Sequence, residues 1–235
     1  MLYIYSADVP ALDVAVLQAL GPRHSLTVIP VSPRERSSAR HVVEYLRQAG
    51  LHARLPGSRF FQDPRRLSNI IMNSDAIYLM GGNTFEYLDY ARRVGLFDIL
   101  AGFEAKGGLI MAESAGSIIL SPTIIMALVP TTCPDEQLMA MEDFTGMGRI
   151  PFHVSPHFDP RAAVASCELD ELQTLANLTS STVWVLQDGE GLLVQGEAVI
   201  DCIGEPQCLK PQGGAVVDDI PAWLPDWAIA STVAG

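Results

Sequence analysis

The chain has 235 residues, of which 49% are apolar and 18% are charged, and it carries a net charge of −12. A chain of this length and apolar content can bury one substantial core, and we expect a single α/β domain over residues 1–235. The acidic balance argues against binding to nucleic acid or to an anionic membrane, because both interactions need a basic surface.

The same composition predicts the compartment and the redox state. No apolar run approaches the roughly 20 residues that cross a bilayer, and the N-terminal segment lacks the basic region and cleavage site of a signal peptide. We therefore expect a cytoplasmic protein that starts at Met1. Cys133, Cys167, Cys202 and Cys208 form neither a CxxC pair nor a metal-like spacing with histidine. They are predicted to be reduced and mostly packed thiols, with no metal and no cofactor.

Short apolar runs alternate with helix-like stretches in the first half of the chain. Strands are predicted at residues 2–6, 26–31, 76–80 and 109–112. Helices are predicted at residues 10–20, 37–49, 64–72, 84–93 and 96–105. This β-α rhythm with apolar strands predicts a parallel sheet that is covered by helices on both faces.

The second half has a different character. Residues 120–150 are irregular and rich in proline, and we expect them to wrap the site. A helix over residues 162–178 precedes three β-like runs at 183–186, 192–194 and 197–203. These runs predict a small antiparallel meander on the sheet edge. The Pro- and Gly-rich tail from Gly204 onward is expected to be a weakly specified appendage.

The strongest chemical signal is a serine at the end of a predicted strand. Residues 109–112 lead into Glu113, Ser114, Ala115 and Gly116, and an apolar helix-like segment follows. A nucleophile elbow places serine on such a turn with small neighbours, although the usual first glycine is replaced by alanine here. The backbone amide of Ala115 would then face a developing oxyanion. The alternative is a tight turn in which the serine only caps the helix.

A second strand ends in Gly81 and Gly82, and Asn83 or Thr84 can cap the helix that follows. Glycine lets a backbone amide approach a ligand without a side chain in between. Gly82 is therefore the predicted second oxyanion donor, whereas an ordinary helix cap is the alternative.

A serine nucleophile needs a base, and the chain offers five histidines. His24, His41 and His52 lie in polar stretches that we expect to be exposed. His153 and His157 lie in an apolar segment bounded by prolines, which is typical of a base held by packing. Because packed histidines are often structural, only geometry can decide between these two.

Asp188 lies in a turn between two β-like runs and could orient that histidine. The Asp188-Gly189 pair is also a strong hairpin signal, and both interpretations can hold together. A metal hydrolase is not indicated, because no HExxH-like spacing of ligands occurs.

Taken together, these four segments resemble the dipeptidase E (aspartyl dipeptidase) family of serine peptidases, which also includes cyanophycinase. The resemblance covers roughly residues 67–197. It rests on GGNTF at 81–85, SAG at 114–116 with SPTI at 121–124, and SPHFD at 155–159. It implies a parallel flavodoxin-like sheet related to class I glutamine amidotransferases, and hydrolysis of short peptides through an acyl-enzyme.

The resemblance also implies roles for individual residues. Ser114 matches the family nucleophile and His157 matches its general base. Asp188 stands where the family keeps a glutamate, so the implied triad is Ser-His-Asp. Gly82 and Ala115 match the two amides of the oxyanion hole.

Three departures bear on the substrate. Glu113 precedes the nucleophile where relatives carry tryptophan or a small or neutral residue, and its charge could repel an acidic substrate or raise its own pKa. Residues 127–143 lack the T-N-D segment of the family. Arg161, the only arginine after His157, does not align cleanly with the arginine of aspartate-specific members. Asn83, Glu113 and Arg161 are nevertheless the predicted substrate-binding residues.

Two other functions remain open at this point. One is a different acyl hydrolase, such as an amidase or esterase, that uses the same site. The other is a catalytically silent relative that binds a small ligand or a partner.

Overall fold

Apolar segments of a few residues form the strands, and the longer segments between them form helices. The structure, a computed structural model, describes residues 1–7, 9–22, 24–32, 35–129, 141–212 and 224. The described strands are β1 (Leu2–Tyr5), β2 (Leu26–Ile29), β3 (Ala53–Arg54), β4 (Ala76–Leu79), β5 (Leu109–Glu113), β6 (His153–Ser155), β7 (Val183–Val185), β8 (Gly191–Gln195), β9 (Ala198–Ile203) and β10 (Gln207–Leu209). The described helices are α1 (Pro10–Leu20), α2 (Arg36–Gln48), α3 (Ser58–Phe61), α4 (Pro64–Met72), α5 (Thr84–Val94), α6 (Leu96–Ala105), α7 (Ala115–Ile118) and α8 (Ala165–Leu178).

The main sheet has seven strands in the order β3-β2-β4-β5-β1-β8-β9. The first five of these are parallel, whereas β8 and β9 form an antiparallel hairpin that extends the sheet beyond β1. The predicted mixed fold, a parallel sheet with a small antiparallel extension, is confirmed. Its carboxyl edge gathers the ends of β1, β4 and β5, and these ends carry the site.

Both faces of the sheet are buried at the central parallel strands β1, β2, β4 and β5, which explains why these strands are apolar at nearly every position. Leu2 and Ile4 of β1 face a large core cluster, whereas Tyr3 and Tyr5 face a second cluster on the opposite side. Helix α2 buries Ala39, Val43 and Leu46, spaced by one helical turn, against that second cluster.

A second sheet of three strands, in the order β10-β7-β6, corrects the predicted meander. The run at residues 183–186 belongs to this sheet, where β7 lies parallel to β6 and antiparallel to β10. Only the other two runs form a hairpin on the main sheet. The Asp188-Gly189 turn therefore joins two sheets and closes no hairpin. It is a β-turn in which the Glu190 amide donates to the Gln187 carbonyl, and Gly189 adopts a φ of 88°.

Other expectations also change. The predicted packing is wrong for Cys167 on α8 and Cys208 on an edge strand, which are exposed, whereas Cys202 is half-buried and packs against the large core cluster. All three are free thiols. Three parts of these expectations lie outside the described residues: Cys133, residues 130–140 of the 120–150 segment, and the tail beyond residue 212 except residue 224.

Candidate active site

Ser114 occupies a strained turn between β5 and α7. Its φ of 49° and ψ of −116° are unusual for a residue with a side chain. Such a conformation costs of order 1–3 kcal/mol and persists only where the surroundings impose it. The Ser114 amide donates to the Tyr5 carbonyl, and its own carbonyl accepts from the amides of Ser117 and Ile118. The backbone of Ser114 is thus held by the sheet on one side and by the helix on the other.

Close packing around this turn explains the small residues there. A Cβ on Gly116 would lie 2.3 Å from the Leu79 carbonyl oxygen, so only glycine lets α7 pass the end of β4. A Cβ on Gly81 would lie 3.1 Å from the Cβ of Ser114. The loop after β4 is therefore in contact with the turn that carries the serine.

Ser114, His157 and Asp188 form a continuous hydrogen-bonded chain. The Ser114 Oγ lies 2.8 Å from His157 Nε2, and His157 Nδ1 lies 2.7 Å from Asp188 Oδ1. An ionised carboxylate can only accept, so Nδ1 carries the proton and Nε2 is free to accept the serine proton. The side chains of His157 and Asp188 are 42% and 66% exposed, so this chain opens towards solvent.

Ser6 is a residue of this site that the sequence analysis did not identify. Its buried hydroxyl donates to Asp188 Oδ1 at 3.1 Å and accepts from the His157 backbone amide at 2.8 Å. His157 has a φ of 65°, and the Ser6 contact fixes this unusual backbone. The available signal was position: Ser6 directly follows β1, whose carboxyl end shares the sheet edge with Ser114.

Two other carboxylates near the site have different roles. Glu190 accepts from the amides of Gln187 and Glu205, and thereby shapes the turn that presents Asp188. Asp159 pairs with Arg161, whose side chain is 89% exposed. Hydrogen bonds from the Arg161 backbone and side chain lower the pKa of Asp159. The predicted substrate contact of Arg161 remains a prediction.

Of the two predicted oxyanion donors, Ala115 directly follows Ser114, and Gly82 follows Gly81, where a Cβ would lie 3.1 Å from the Cβ of Ser114. Gly82 has a φ of 145°, and a Cβ there would lie 2.5 Å from Val31 Cγ2, so this position also requires glycine. Ala115 is the first residue of α7, where an amide has no acceptor within the helix. Among the described residues, neither amide donates a hydrogen bond. The role of these two amides as oxyanion donors remains a prediction.

Asn83 and Glu113 contact backbone amides of the protein. Asn83 Oδ1 accepts from the Glu86 amide and caps α5, as the alternative interpretation of the GGNTF segment predicted. Glu113 Oε2 accepts from the Gly81 amide at 3.1 Å. Their predicted contacts with substrate remain predictions.

The other histidines lie apart from Ser114 in the hydrogen-bond network. His153 is buried, and its ring bridges the Thr123 and Ser181 hydroxyls at 3.0 and 3.2 Å. It therefore ties β6 to two loops. His24 is also buried, stacked on the ring of His52, so its predicted exposure is wrong.

Burial of His153 predicts acid sensitivity of the fold. Burial lowers the pKa of this histidine to about 4. The unfolded chain takes up its proton near pH 6.5, so the free energy of unfolding falls as pH drops from 6.5 through 4, by about 3 kcal/mol in total. Urea unfolding of wild type and His153→Gln at pH 7 and pH 4.5 measures this loss. The variant should lose less stability on acidification than wild type does.

An exposed histidine serves as the control for that measurement. His41→Gln should track wild type at both pH values, because His41 lies on the surface of α2. Equal losses in wild type and His153→Gln would show that His153 does not carry the effect.

Within the described residues, no cluster of three or more His, Cys, Asp or Glu residues is arranged to hold a metal ion. None of the helices described combines the length and apolar character needed to cross a membrane.

Comparison with known proteins identifies related sequences. The sequence model of Peptidase family S51 matches residues 25–202, which include Ser114, His157 and Asp188. An uncharacterized peptidase of Listeria monocytogenes is 25% identical over 130 residues, which cover 55% of this chain and 61% of that protein. Peptidase E of Shewanella amazonensis is 28% identical over 151 residues, which cover 63% of this chain and 60% of that protein. The chain thus spans about three fifths of the length of these two relatives.

Solved structures share the fold. A Listeria monocytogenes protein provisionally named peptidase E superposes with a TM-score of 0.63 at 20% identity, covering 89% of this chain and 97% of that one. A peptidase from an acI-B1 actinobacterium superposes with a TM-score of 0.61 at 15% identity, covering 90% and 94%. At these identities the likeness concerns the fold.

Proposed function

The chain belongs to peptidase family S51, and from that premise we propose that it is a serine peptidase that hydrolyses short peptides. The observation that carries the proposal is the hydrogen-bonded chain from Asp188 through His157 to Ser114. Its order of donors and acceptors is the one that acyl transfer by a serine requires.

The proposed reaction has two steps. His157 Nε2 takes the proton of Ser114 Oγ as that oxygen attacks the scissile carbonyl carbon. The protonated His157 then gives this proton to the leaving amine, and the C–N bond breaks. In the second step His157 deprotonates a water molecule, which attacks the acyl-enzyme ester. The peptide's acid product leaves, and the proton returns to Ser114.

Charge develops on the carbonyl oxygen in both steps. The amides of Gly82 and Ala115 would donate to this oxygen, and a single such donor is typically worth roughly 2.7–4 kcal/mol of barrier. The absence of intramolecular acceptors for these two amides among the described residues supports the assignment. Asp188 would hold the correct tautomer of His157 and stabilise its charged form.

We also propose that residues 1–235 form one domain. Side chains from both sheets enter the same core cluster, for example Leu2 and Ala112 from the main sheet and Val154 and Val185 from the second. A shared core supports a single cooperative unit.

A panel of X-Leu dipeptides, with Asp-Leu included, tests the proposed function. Turnover led by Asp-Leu would identify an aspartyl dipeptidase, and turnover led by other members would keep the peptidase and change its specificity. Labelling of Ser114 by a fluorophosphonate without dipeptide turnover would indicate longer peptides or an amidase or esterase. If the protein shows no turnover and is not labelled, the result would support a silent relative and contradict the proposal.

Replacing Asp188 by asparagine should lower kcat by about 10²-fold. The loss should be smaller than the roughly 10⁴-fold known for a buried triad aspartate, because water already screens a carboxylate with this exposure. Steady-state hydrolysis of the best dipeptide measures it. Asp159→Asn is the matched control, since this nearby exposed carboxylate pairs only with Arg161 in the contacts described. An Asp188→Asn rate within tenfold of wild type would disprove the orienting role.

A further inference from the structure

Glu113 stands at the carboxyl edge of the sheet, one residue before the serine. It pairs with Tyr5 in the register of β5 and β1. Alternation along β5 puts its side chain on the same face as Leu109 and Met111, which belong to the core cluster opposite α7. Glu113 and Ser114 are therefore consecutive residues whose side chains approach the edge of the sheet from different directions.

The carboxylate of Glu113 links the ends of two strands. Its Oε2 accepts the Gly81 amide at 3.1 Å. Its charge also acts on Tyr78, a residue of β4 that is 2% exposed. Burial, followed by the charge of Glu113, raises the pKa of Tyr78 well above its usual range, so this hydroxyl remains a donor. Glu113 thus joins the end of β5 to the glycines that follow β4.

Those glycines need an external restraint. A Gly-Gly pair has the largest backbone freedom of any dipeptide, and it has no side chain through which packing can hold it. Gly82 nevertheless adopts a particular φ of 145° beside Val31, and Gly81 touches Ser114. The bond from the Gly81 amide to Glu113 is the polar contact that fixes the first of these two peptide units.

We propose that Glu113 is a positioning residue, which fixes the Gly81–Gly82 backbone so that the Gly82 amide faces the oxyanion. This inference rests on the proposed function, and it assigns Glu113 no contact with substrate. What the role requires is an acceptor oxygen and not a charge. A Cβ on Gly81 would lie 3.5 Å from Glu113 Oε2 and 3.6 Å from Ser114 Oγ, so the two oxygens are at most about 7 Å apart. At that distance a negative charge opposes the oxyanion.

Glu113→Gln and Glu113→Ala separate the acceptor from the charge. Glutamine keeps an oxygen that can accept from the Gly81 amide and removes the negative charge. We expect kcat of Glu113→Gln to equal or exceed that of wild type. Glu113→Ala should lower kcat 10- to 100-fold with KM changed less than threefold. It should also weaken the binding of a peptidyl boronic acid, which mimics the tetrahedral state, by the same factor.

The opposite pattern would overturn the proposal. If Glu113 binds the substrate through its charge, both variants lose the same affinity for substrate, and this loss appears as a higher KM. If the residue is merely structural, Glu113→Ala lowers the midpoint of unfolding and leaves boronic acid affinity unchanged. Should Glu113→Ala fail to fold, a Glu113→Gln variant that loses tenfold or more in kcat is sufficient to reject the inference.

A second readout does not depend on activity. In protein labelled with ¹⁵N-glycine, the Gly81 amide should exchange with solvent at least tenfold faster in Glu113→Ala than in wild type or Glu113→Gln. Unchanged exchange in Glu113→Ala would reject the positioning role even in an active enzyme. Accelerated exchange in a protein that neither turns over dipeptides nor reacts with fluorophosphonate would keep the positioning role and reject the proposed function.

Discussion

Replacing Ser114 by alanine is expected to lower kcat for the best dipeptide by at least about 10⁴-fold, because the covalent route through the acyl-enzyme disappears. Removing one hydroxyl leaves the turn intact, since the backbone bonds of residue 114 to Tyr5, Ser117 and Ile118 do not involve the side chain. Thermal unfolding should therefore change by less than a few degrees. Fluorophosphonate labelling, detected by intact mass, should vanish together with turnover.

Ser58→Ala provides the matched control, because this exposed serine lies at the start of α3. It should keep both labelling and turnover at the wild-type level. Ser114→Gly gives an independent check on the strained turn. It should be as inactive as Ser114→Ala but more stable by about 1 kcal/mol, because glycine adopts a positive φ without strain. Full activity in either Ser114 variant would eliminate this serine as nucleophile.

Replacing Gly116 by alanine is expected to destabilise the fold by about 3 kcal/mol or more, the largest structural effect among our predictions. The added methyl group would lie 2.3 Å from the Leu79 carbonyl oxygen and 2.9 Å from its carbon. These are backbone atoms of a central strand, so they cannot move aside as a flexible side chain would. Helix α7 would have to shift away from β4 and carry the Ser114 turn with it. Urea unfolding measures the stability, and kcat should fall as well.

Gly102→Ala is the matched control for this change. Gly102 lies within α6, and a Cβ there meets no atom within 4 Å. Alanine at an open helical position should stabilise the protein by about 0.5–1 kcal/mol. If Gly116→Ala is as stable as Gly102→Ala, the close approach of α7 to β4 does not constrain this position.

Periodicity and turn chemistry predict much of this fold from the sequence. The strands and helices predicted in the first half occur where apolar runs and helix signals indicate them, with boundaries that differ by at most two residues, whereas β3 and α3 were not predicted. Local patterns encode such elements because each run is buried on both faces of one sheet. The pairing partners of the strands near the end of the chain cannot be predicted from local patterns. The runs at residues 183–186 and 192–194 look alike, and only their tertiary neighbours put β7 and β8 in different sheets.

The candidate site shows the same division. Ser114 directly follows β5 and the Gly81-Gly82 pair follows closely after β4, so the strand ends predict that these segments lie at one edge of the sheet. Ser6 carries no motif, and its contacts with His157 and Asp188 span 151 and 182 residues of chain. A single small polar residue acting over such separations leaves no local pattern. Which of His153 and His157 reaches the serine is likewise decided by packing, because both share one apolar segment.

The position of β1 has a consequence for the order in which this protein becomes competent during synthesis. Strand β1, which precedes the other described strands along the chain, lies inside the main sheet, and its second neighbour, β8, is made about 185 residues later. At roughly 5–20 residues per second, the stretch from Ser114 to Asp188 takes several seconds to translate. Throughout that interval the nascent chain displays the proposed nucleophile without its complete proton relay. The proposed relay would thus be complete only after Asp188 has been translated and has folded against His157.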